Sequence, residues 1–233
     1  MESVKRLTTN IPGLDELVQG GIPEGELVLL SGTCGTGKTI FGMQFSTVPK
    51  EPSVYITFEE HRAQLRTQAS YFGWDLKKLE DKDMLRMLKY DPFQIHDVMG
   101  MIENNIREIN ASRVVIDSVS SFAIYLRDDN EIRKTIIQVA DLLRKNGCTS
   151  ILVSEIVPGS HALSRYGMEE FVLDGVIVLR RMMQNNEYRR ALNIWKMRET
   201  DHSQGFHEYE IGKNGIAVKP KHFVDFSKVQ FYT

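Results

Sequence analysis

The stretch "ELVLLSGTCGTGKTIFGMQF", residues 26–45, decides the fold. An apolar run that reads as a buried strand leads into "GTCGTGKT", which fills the pattern GxxxxGK[ST], and a helical segment follows directly. In such a turn, backbone N–H groups and the positive end of the helix surround phosphate oxygens, and Gly35 and Gly37 permit the close approach. We therefore predict a phosphate-binding loop in which Lys38 reaches the β- and γ-phosphates and the Thr39 hydroxyl ligates Mg²⁺.

Outside this loop, short β-rich runs alternate with helical segments. Strands are predicted over 26–32, 53–58, 84–90, 113–119 and 149–155, and helices over 94–110 and 130–146, with the helix after the loop ending at Val48. Several strands are apolar on both faces, as in a parallel sheet covered by helices. After residue 172, strand-like segments follow one another across short polar turns, which predicts an antiparallel extension. The expected fold class is α/β: a mostly parallel central sheet flanked by helices, with antiparallel strands added at the C-terminal end, in one domain over 1–233.

The composition excludes several classes of protein. The net charge is −2, so long-range attraction to nucleic acid is not expected. The two cysteines, Cys34 and Cys148, belong to no CxxC or Cys/His cluster, which argues against a disulfide framework or zinc site and fits a reducing cytoplasm. Neither a signal peptide nor an apolar run long enough to cross a membrane is indicated.

A second metal ligand is predicted from "VVIDS", residues 114–118. Asp117 follows three apolar residues, so it is expected at the carboxyl end of a buried strand, where open α/β sheets bind their ligands. Together with the upstream loop, this position indicates that Asp117 completes a magnesium site with Thr39.

Two adjacent carboxylates end the strand in "VYITFEEH", residues 54–61. If this strand lies beside the loop strand, a carboxylate at its end is placed to polarise a water that attacks the γ-phosphate. Successive strand residues face opposite sides, so at most one of Glu59 and Glu60 is expected to face that water fully. The strand alone leaves open which one it is.

These features together resemble the RecA superfamily of P-loop NTPases and, within it, the KaiC family of ATPases. The resemblance covers nearly the whole chain, through "IPGLDELVQGGIPEGELVLLSGTCGTGKT", "TFEE", "FGWDL", "RVVIDSVSS", "SRYGMEEFVLDGVIVLR" and "WKMRETDHSQGFHEYEIGKNGI". The chain is most similar to single-domain members, because it carries one phosphate-binding loop. The implied fold is RecA-like.

The resemblance also implies the ligands and their residues. ATP and Mg²⁺ are expected between subunits of a homo-oligomeric ring, typically a hexamer, with Glu59 as the catalytic carboxylate and Glu60 assisting it. Lys196 and Arg198 share one face of a strand, with Met197 on the other, and the family motif implies that both cations act on the adjacent protomer's nucleotide. The implied nucleotide-binding residues are Thr33, Gly35, Thr36, Gly37, Lys38, Thr39, Ile40, Tyr71, Met197, Thr200 and His202.

The expected function is slow ATP hydrolysis that drives a conformational or partner-binding switch, with an unidentified protein partner possible. One alternative is a recombinase-like module that binds single-stranded DNA, but residues 155–171 offer Arg165 against Glu155, Glu169 and Glu170, so DNA is not expected to bind. Another is a nucleotide-gated scaffold with negligible turnover. Autokinase activity is unsupported, because the C-terminal tail offers only Ser227 and Thr233, which are not adjacent.

Overall fold

The computed structural model describes residues 4–48, 50–184, 186–224 and 229–230, and ten of its strands form one sheet. The strands are β1 (Arg6–Leu7), β2 (Ile22–Pro23), β3 (Leu27–Gly32), β4 (Ser53–Thr57), β5 (Leu85–Lys89), β6 (Arg113–Asp117), β7 (Thr149–Glu155), β8 (Gly175–Gln184), β9 (Glu187–Met197), β10 (His207–Gly212), β11 (Gly215–Phe223) and β12 (Val229–Gln230). Strands β1 and β2 pair separately as a small antiparallel ribbon. The predicted α/β class is confirmed.

The helices lie mostly between the parallel strands. They are α1 (Leu14–Leu17), α2 (Lys38–Ser46), α3 (Arg62–Tyr71), α4 (Leu76–Glu80), α5 (Ile95–Glu108), α6 (Val119–Ala123), α7 (Asp129–Lys145) and α8 (Glu169–Val172), with a 3₁₀ turn at Pro92–Gln94. The helices predicted over 94–110 and 130–146 are confirmed to within two residues. Helix α2 ends two residues before the predicted Val48, and the strand predicted over 113–119 stops at Asp117, where α6 soon begins.

Strand β3 lies inside the sheet, whose order is β11-β10-β9-β8-β3-β7-β6-β4-β5, with β12 added along β8. Strands β8, β3, β7, β6, β4 and β5 are parallel, and β9 to β11 run antiparallel. The mostly parallel sheet with antiparallel C-terminal strands is therefore confirmed. One detail differs: β8 is still parallel to β3, so the antiparallel part begins one strand later than predicted.

The strand over 53–58 does not lie beside the loop strand, so the condition under which its carboxylates were placed over the γ-phosphate is not met. Strands β7 and β6 separate β4 from β3. The alternation of strands and helices predicts a parallel sheet, but it does not give the order of the strands, because that order depends on pairings between distant segments.

A hydrophobic cluster covers each face of the sheet. On one face, helices α2 and α3 pack Phe41, Phe45 and Leu65 against the strands. On the other, α5, α6 and α7 do the same, and the apolar residues that predicted α5 at three- and four-residue spacing are buried. Strand β3 is consequently buried on both sides, as a central parallel strand should be. Among the described residues, no helix is both long and apolar enough to cross a membrane.

Candidate nucleotide-binding site

The predicted phosphate-binding loop joins β3 to α2. Its lysine folds back over the loop: Lys38 Nζ donates hydrogen bonds to the carbonyl oxygens of Gly32 at 2.9 Å and Thr33 at 3.1 Å. Gly37 has φ +94°, and a Cβ there would lie 2.7 Å from Ile211 Cδ1, so a larger residue would be both strained and crowded. The sequence pattern thus corresponds to a compact turn directly before the helix N-terminus.

Contacts from within the loop and from β10 fix its shape. The Thr36 hydroxyl donates to the Thr33 carbonyl at 2.8 Å, and the Tyr209 hydroxyl donates to the Thr36 carbonyl at 2.5 Å. Tyr209 is buried, and burial raises its pKa well above its usual range, so its hydroxyl stays protonated as a donor. The antiparallel extension of the sheet therefore supports the phosphate loop.

Asp117 lies at the carboxyl end of β6 and faces the first turn of α2. Its Oδ2 accepts hydrogen bonds from the Thr39 hydroxyl at 2.8 Å and the Tyr55 hydroxyl at 2.7 Å. Burial raises the pKa of Asp117 to about 6, although both hydrogen bonds act in the opposite direction. A cation at this position would therefore relieve the cost of a buried carboxylate.

The two predicted metal ligands fit a magnesium ion. The Thr39 hydroxyl and the Asp117 carboxylate are already in contact, so one ion can touch both oxygens. In the part of the chain that the structure describes, no cluster of three or more His, Cys, Asp or Glu side chains forms an all-protein metal site. Few protein ligands suit Mg²⁺, which usually keeps waters and phosphate oxygens in its coordination shell.

Glu59 and Glu60 follow a turn that the end of β4 imposes. The strand stops at Thr57, whose hydroxyl oxygen accepts the N–H of Glu59 at 3.2 Å and that of Glu60 at 3.0 Å. The alternation of a strand no longer applies beyond this point, and both carboxylates line the same cavity. Which of the two carboxylates faces an attacking water stays a prediction.

Each of these carboxylates has its own hydrogen-bond donors. Glu59 Oε1 accepts from the hydroxyls of Ser118, at 2.9 Å, and Ser121. Glu60 Oε2 accepts from Gln68 Nε2 on α3 at 2.5 Å. Two neighbouring carboxylates are thus held in distinct orientations.

Together these groups enclose a cavity of about 380 Å³ beside the loop. The predicted residues that line it are Gly35, Gly37, Lys38, Thr39, Ile40, Glu59, Glu60 and Asp117. Although β4 is not next to β3, its end reaches the site because Thr57 pairs with Asp117 on β6. The structure thus brings most of the predicted residues of one subunit together.

Three other predicted residues lie outside the cavity lining. Thr33 and Thr36 shape the loop through the hydrogen bonds described above. Tyr71 ends α3 with 80% of its surface exposed.

The residues expected to act in trans lie at the opposite edge of the sheet. Met197 pairs with Gly175, which in turn pairs with Val28 near the start of β3. The Arg198 N–H donates to the Asp174 carbonyl and the Asp174 N–H donates to the Leu27 carbonyl, so Arg198 lies level with Leu27. The five residue steps from Leu27 to the loop at Gly32 span roughly 16 Å. Lys196 and Arg198 therefore lie too far from the loop of their own subunit to touch a phosphate bound there.

The neighbours of these cations differ in exposure. Met197 is buried, and its side chain packs against Gly175. Thr200 Oγ1 accepts a hydrogen bond from Arg6 at 2.9 Å, and His202 Nδ1 lies 3.0 Å from the Ser203 carbonyl.

The sequence interpretation missed four residues of the cavity lining, namely Cys34, Gln68, Ser118 and Glu155. Glu155 ends β7 opposite Gly32 in register, so the signal that identified Asp117, a carboxylate after an apolar strand, was available for it too. Gln68 carries no comparable signal, because its contact with Glu60 depends on how α3 packs.

Comparison with known proteins agrees with this geometry. The family model described as "ATPase: KaiC" matches residues 7–222. A UPF0273 protein of Pyrococcus horikoshii is 39% identical over 97% of this chain and 98% of its own length. The circadian clock protein KaiC3 of Synechocystis is 34% identical over 94% of this chain but only 46% of its own length, so the present chain spans about half of that relative.

A solved structure shows the same fold. The crystal structure of a KaiC-like protein from Pyrococcus horikoshii superposes with a TM-score of 0.87 at 42% identity, and the match covers 94% of this chain and all of that one. The P-loop geometry, the sheet order and these matches agree with one another. The chain therefore belongs to the KaiC family of RecA-like, nucleotide-binding ATPases.

Proposed function

We propose that this protein hydrolyses Mg·ATP slowly at the interfaces of a homo-oligomeric ring and that turnover drives a conformational switch. The observation that carries the proposal is the separation of the two halves of the site. Lys38, Glu59 and Asp117 line one cavity, whereas Arg198 lies at the other end of β3, roughly 16 Å away. A second copy of the chain is the simplest source of the missing cations.

In this proposal each group in the cavity has one task. Lys38 binds the β- and γ-phosphate oxygens, and Asp117 and Thr39 hold Mg²⁺, which neutralises phosphate charge when bound. Glu59 orients the attacking water and accepts its proton, while Ser118 and Ser121 hold the carboxylate in place. Glu60, held by Gln68, supports this arrangement from the neighbouring position.

The surface around the trans cations supports association with another copy. Trp195, directly before Lys196, is 55% exposed, and Phe171, directly after Glu170, is 68% exposed. The Glu170 carbonyl accepts from Lys196 Nζ at 3.1 Å, so both aromatic residues directly follow or precede a residue of this contact in the chain. Exposed aromatic residues beside a positively charged group are typical of protein interfaces.

The test combines phosphate release with mass in solution, with and without Mg·ATP. Lys38→Ala should lose nucleotide binding and assembly, whereas Glu59→Gln should assemble but turn over about 10²-fold to 10⁴-fold more slowly. Arg198→Ala should bind nucleotide but lose about 10²-fold or more in turnover. A monomer that hydrolyses ATP equally well with and without Arg198 would overturn the proposal.

The same experiment distinguishes an enzyme from the alternative, a nucleotide-gated scaffold with negligible turnover. In that case ATP would still drive assembly, but phosphate release by the wild-type protein would match that of Glu59→Gln. The hydroxyls that orient Glu59 favour the enzyme, because they place a carboxylate in the cavity in a defined direction.

A further inference from the structure

Arg198 is attached to its own subunit through one carboxylate. Arg198 NH1 donates to Asp174 Oδ1 at 2.9 Å, and the Arg198 backbone N–H donates to the Asp174 carbonyl at 3.1 Å. The Asp174 side chain is 6% exposed, whereas that of Arg198 is 56% exposed. A buried anion thus holds an exposed cation.

Asp174 is itself fixed by groups on two other elements. Its carboxylate accepts the N–H of Leu27, the first residue of β3, at 3.2 Å and both of its oxygens accept from Arg144 NH2 on α7, at 3.1 and 3.0 Å. Its own N–H donates to the Leu27 carbonyl at 2.8 Å. The carboxylate therefore has little freedom to follow Arg198 if the guanidinium moves.

The contact leaves most of the guanidinium available. Among the described residues, no acceptor is bound to Nε or NH2 of Arg198, so these donors are available to a ligand from outside the subunit. A guanidinium binds phosphate through two parallel N–H groups. The hydrogen bond from NH1 to Asp174 leaves the N–H groups of Nε and NH2 able to bind in this way.

Lys196 is held by the same stretch of chain. Its Nζ donates to the carbonyls of Leu173 at 2.6 Å and Glu170 at 3.1 Å. Burial and the adjacent Arg198 lower the pKa of Lys196, which agrees with two cations lying side by side. Residues 170–174 thus set the position of both.

We infer that Asp174 is a positioning residue for the trans site, whose carboxylate holds Arg198 in the orientation in which the neighbouring subunit's nucleotide receives it. The inference rests on the proposed function, in which Arg198 acts across the interface. Loss of the carboxylate should lower kcat about 10-fold to 10²-fold with little change in KM, because cis binding of nucleotide is untouched.

Complementation between variants tests this directly. Mixed rings of Glu59→Gln and Arg198→Ala should recover phosphate release. In such a ring, a Glu59→Gln subunit supplies an intact Arg198 to the intact cavity of a neighbouring Arg198→Ala subunit. Asp174→Asn should behave in the same way as Arg198→Ala. It should recover activity when mixed with Glu59→Gln and none when mixed with Arg198→Ala.

Arg144→Gln is the matched control, because it removes an ion pair from the same carboxylate but leaves Arg198 held. Because the Leu27 N–H still binds the Asp174 carboxylate and that carboxylate still binds Arg198, Arg144→Gln should lose less kcat than Asp174→Asn does. Asp174→Asn leaves the Arg144 charge without its carboxylate partner, which can destabilise the fold. If Asp174→Asn proves unstable, the double variant Asp174→Asn, Arg144→Gln removes that charge and should show the complementation expected of Asp174→Asn.

The outcomes distinguish the two ideas. If Arg198→Ala is not rescued by Glu59→Gln, the trans action itself is wrong. If Arg198→Ala is rescued but Asp174→Asn is not, or if Asp174→Asn equals or exceeds the wild-type kcat, then Asp174 does not act through Arg198 and the inference fails.

Discussion

Cys34 occupies the phosphate-binding loop and is exposed at the cavity, whereas Cys148 is buried. Burial raises the pKa of Cys148 to about 11, and the thiolate is the reactive form of a cysteine. We therefore expect iodoacetamide to modify one cysteine per chain, Cys34, as measured by peptide mass spectrometry. Mg·ATP at about ten times its Kd should slow this modification about 10-fold, because bound phosphates cover the loop.

Lys38→Ala provides the control for this protection. Its Cys34 should react at the unprotected rate whether or not nucleotide is present. Equal labelling of both cysteines, or labelling of the wild type that ignores nucleotide, would contradict the position assigned to the loop.

Glu26 gives a prediction for pH dependence. Burial, and then the nearby Asp174 and Glu199, raise its pKa to about 7, against the opposing effect of Arg144. A carboxyl group whose pKa is raised in the folded state stabilises that state at low pH, and this stability is lost as the pH rises through about 7. Wild-type stability should therefore fall relative to Glu26→Gln as the pH rises from about 4.5 to about 7.

The expected size of this effect is about 1 kcal/mol, since Glu26 is only half-buried and solvent screens part of the repulsion. Urea denaturation of both proteins at the two pH values measures it. A difference in unfolding free energy that stays constant with pH would show that Glu26 keeps an ordinary pKa.

At the scale of single residues, the spacing of residues in the sequence predicted those parts of the site that lie within one short segment. Lys38 and Thr39 lie in one turn, and Asp117 ends one strand, so the chain itself places each of them. Tyr55 and Asp174 were not identified, because their importance comes from contacts between segments far apart in sequence. Asp174 in particular reads as an ordinary turn residue until Arg198, Arg144 and Leu27 are seen around it.

At the scale of elements, α2 packs close against the sheet at Gly42. Gly42 makes this possible, because a Cβ there would lie 2.9 Å from Val115 Cγ1 and 3.3 Å from Tyr55 Cε2. Gly42→Ala should therefore destabilise the protein by about 1–3 kcal/mol, although alanine is the better helix former.

Gly100 is the matched control, since it lies within α5 with nothing within 4 Å of an added Cβ. Gly100→Ala should stabilise the protein by about 0.5–1 kcal/mol. Chemical denaturation compares the two variants. Equal effects of the two substitutions would mean that α2 does not approach the sheet so closely.

The helices and strands were predicted more reliably than the order of the strands in the sheet. Apolar spacing located α5 and α7 because one face of each helix is buried along its length. The position of β4 relative to β3 stayed open, because both strand orders satisfy the same pattern of apolar residues. The carboxylates nevertheless arrive at the site, since parallel strands all end at one edge of the sheet.

At the scale of the whole molecule, charge argues against binding to nucleic acid. The net charge is −2, and in residues 155–171 Glu155 lines the cavity while Glu169 is buried with Ser154 and Ser164 as its donors. Fluorescence anisotropy with labelled single-stranded DNA should show no saturation below about 10 µM protein at physiological salt. Tight binding that weakens steeply with added salt would instead favour a recombinase-like role.

The resemblance to the KaiC family assigned Lys38 to the nucleotide of its own subunit and Arg198 to that of a neighbour. The sheet register agrees with this division, because it puts Lys38 and Arg198 at opposite ends of β3. The serines and threonines considered for autophosphorylation, Ser227 and Thr233, lie outside the described residues.

The packing of strand β3 has a mechanical consequence. It is buried on both faces and paired along both edges by β7 and β8, and such packed interiors have low compressibility. A displacement of Gly32 is therefore passed along the strand, rather than absorbed, to Leu27 and the Asp174 carboxylate bound to its N–H. If the loop and Arg198 act as proposed, a movement of the loop on binding phosphate would also move the contact that holds Arg198.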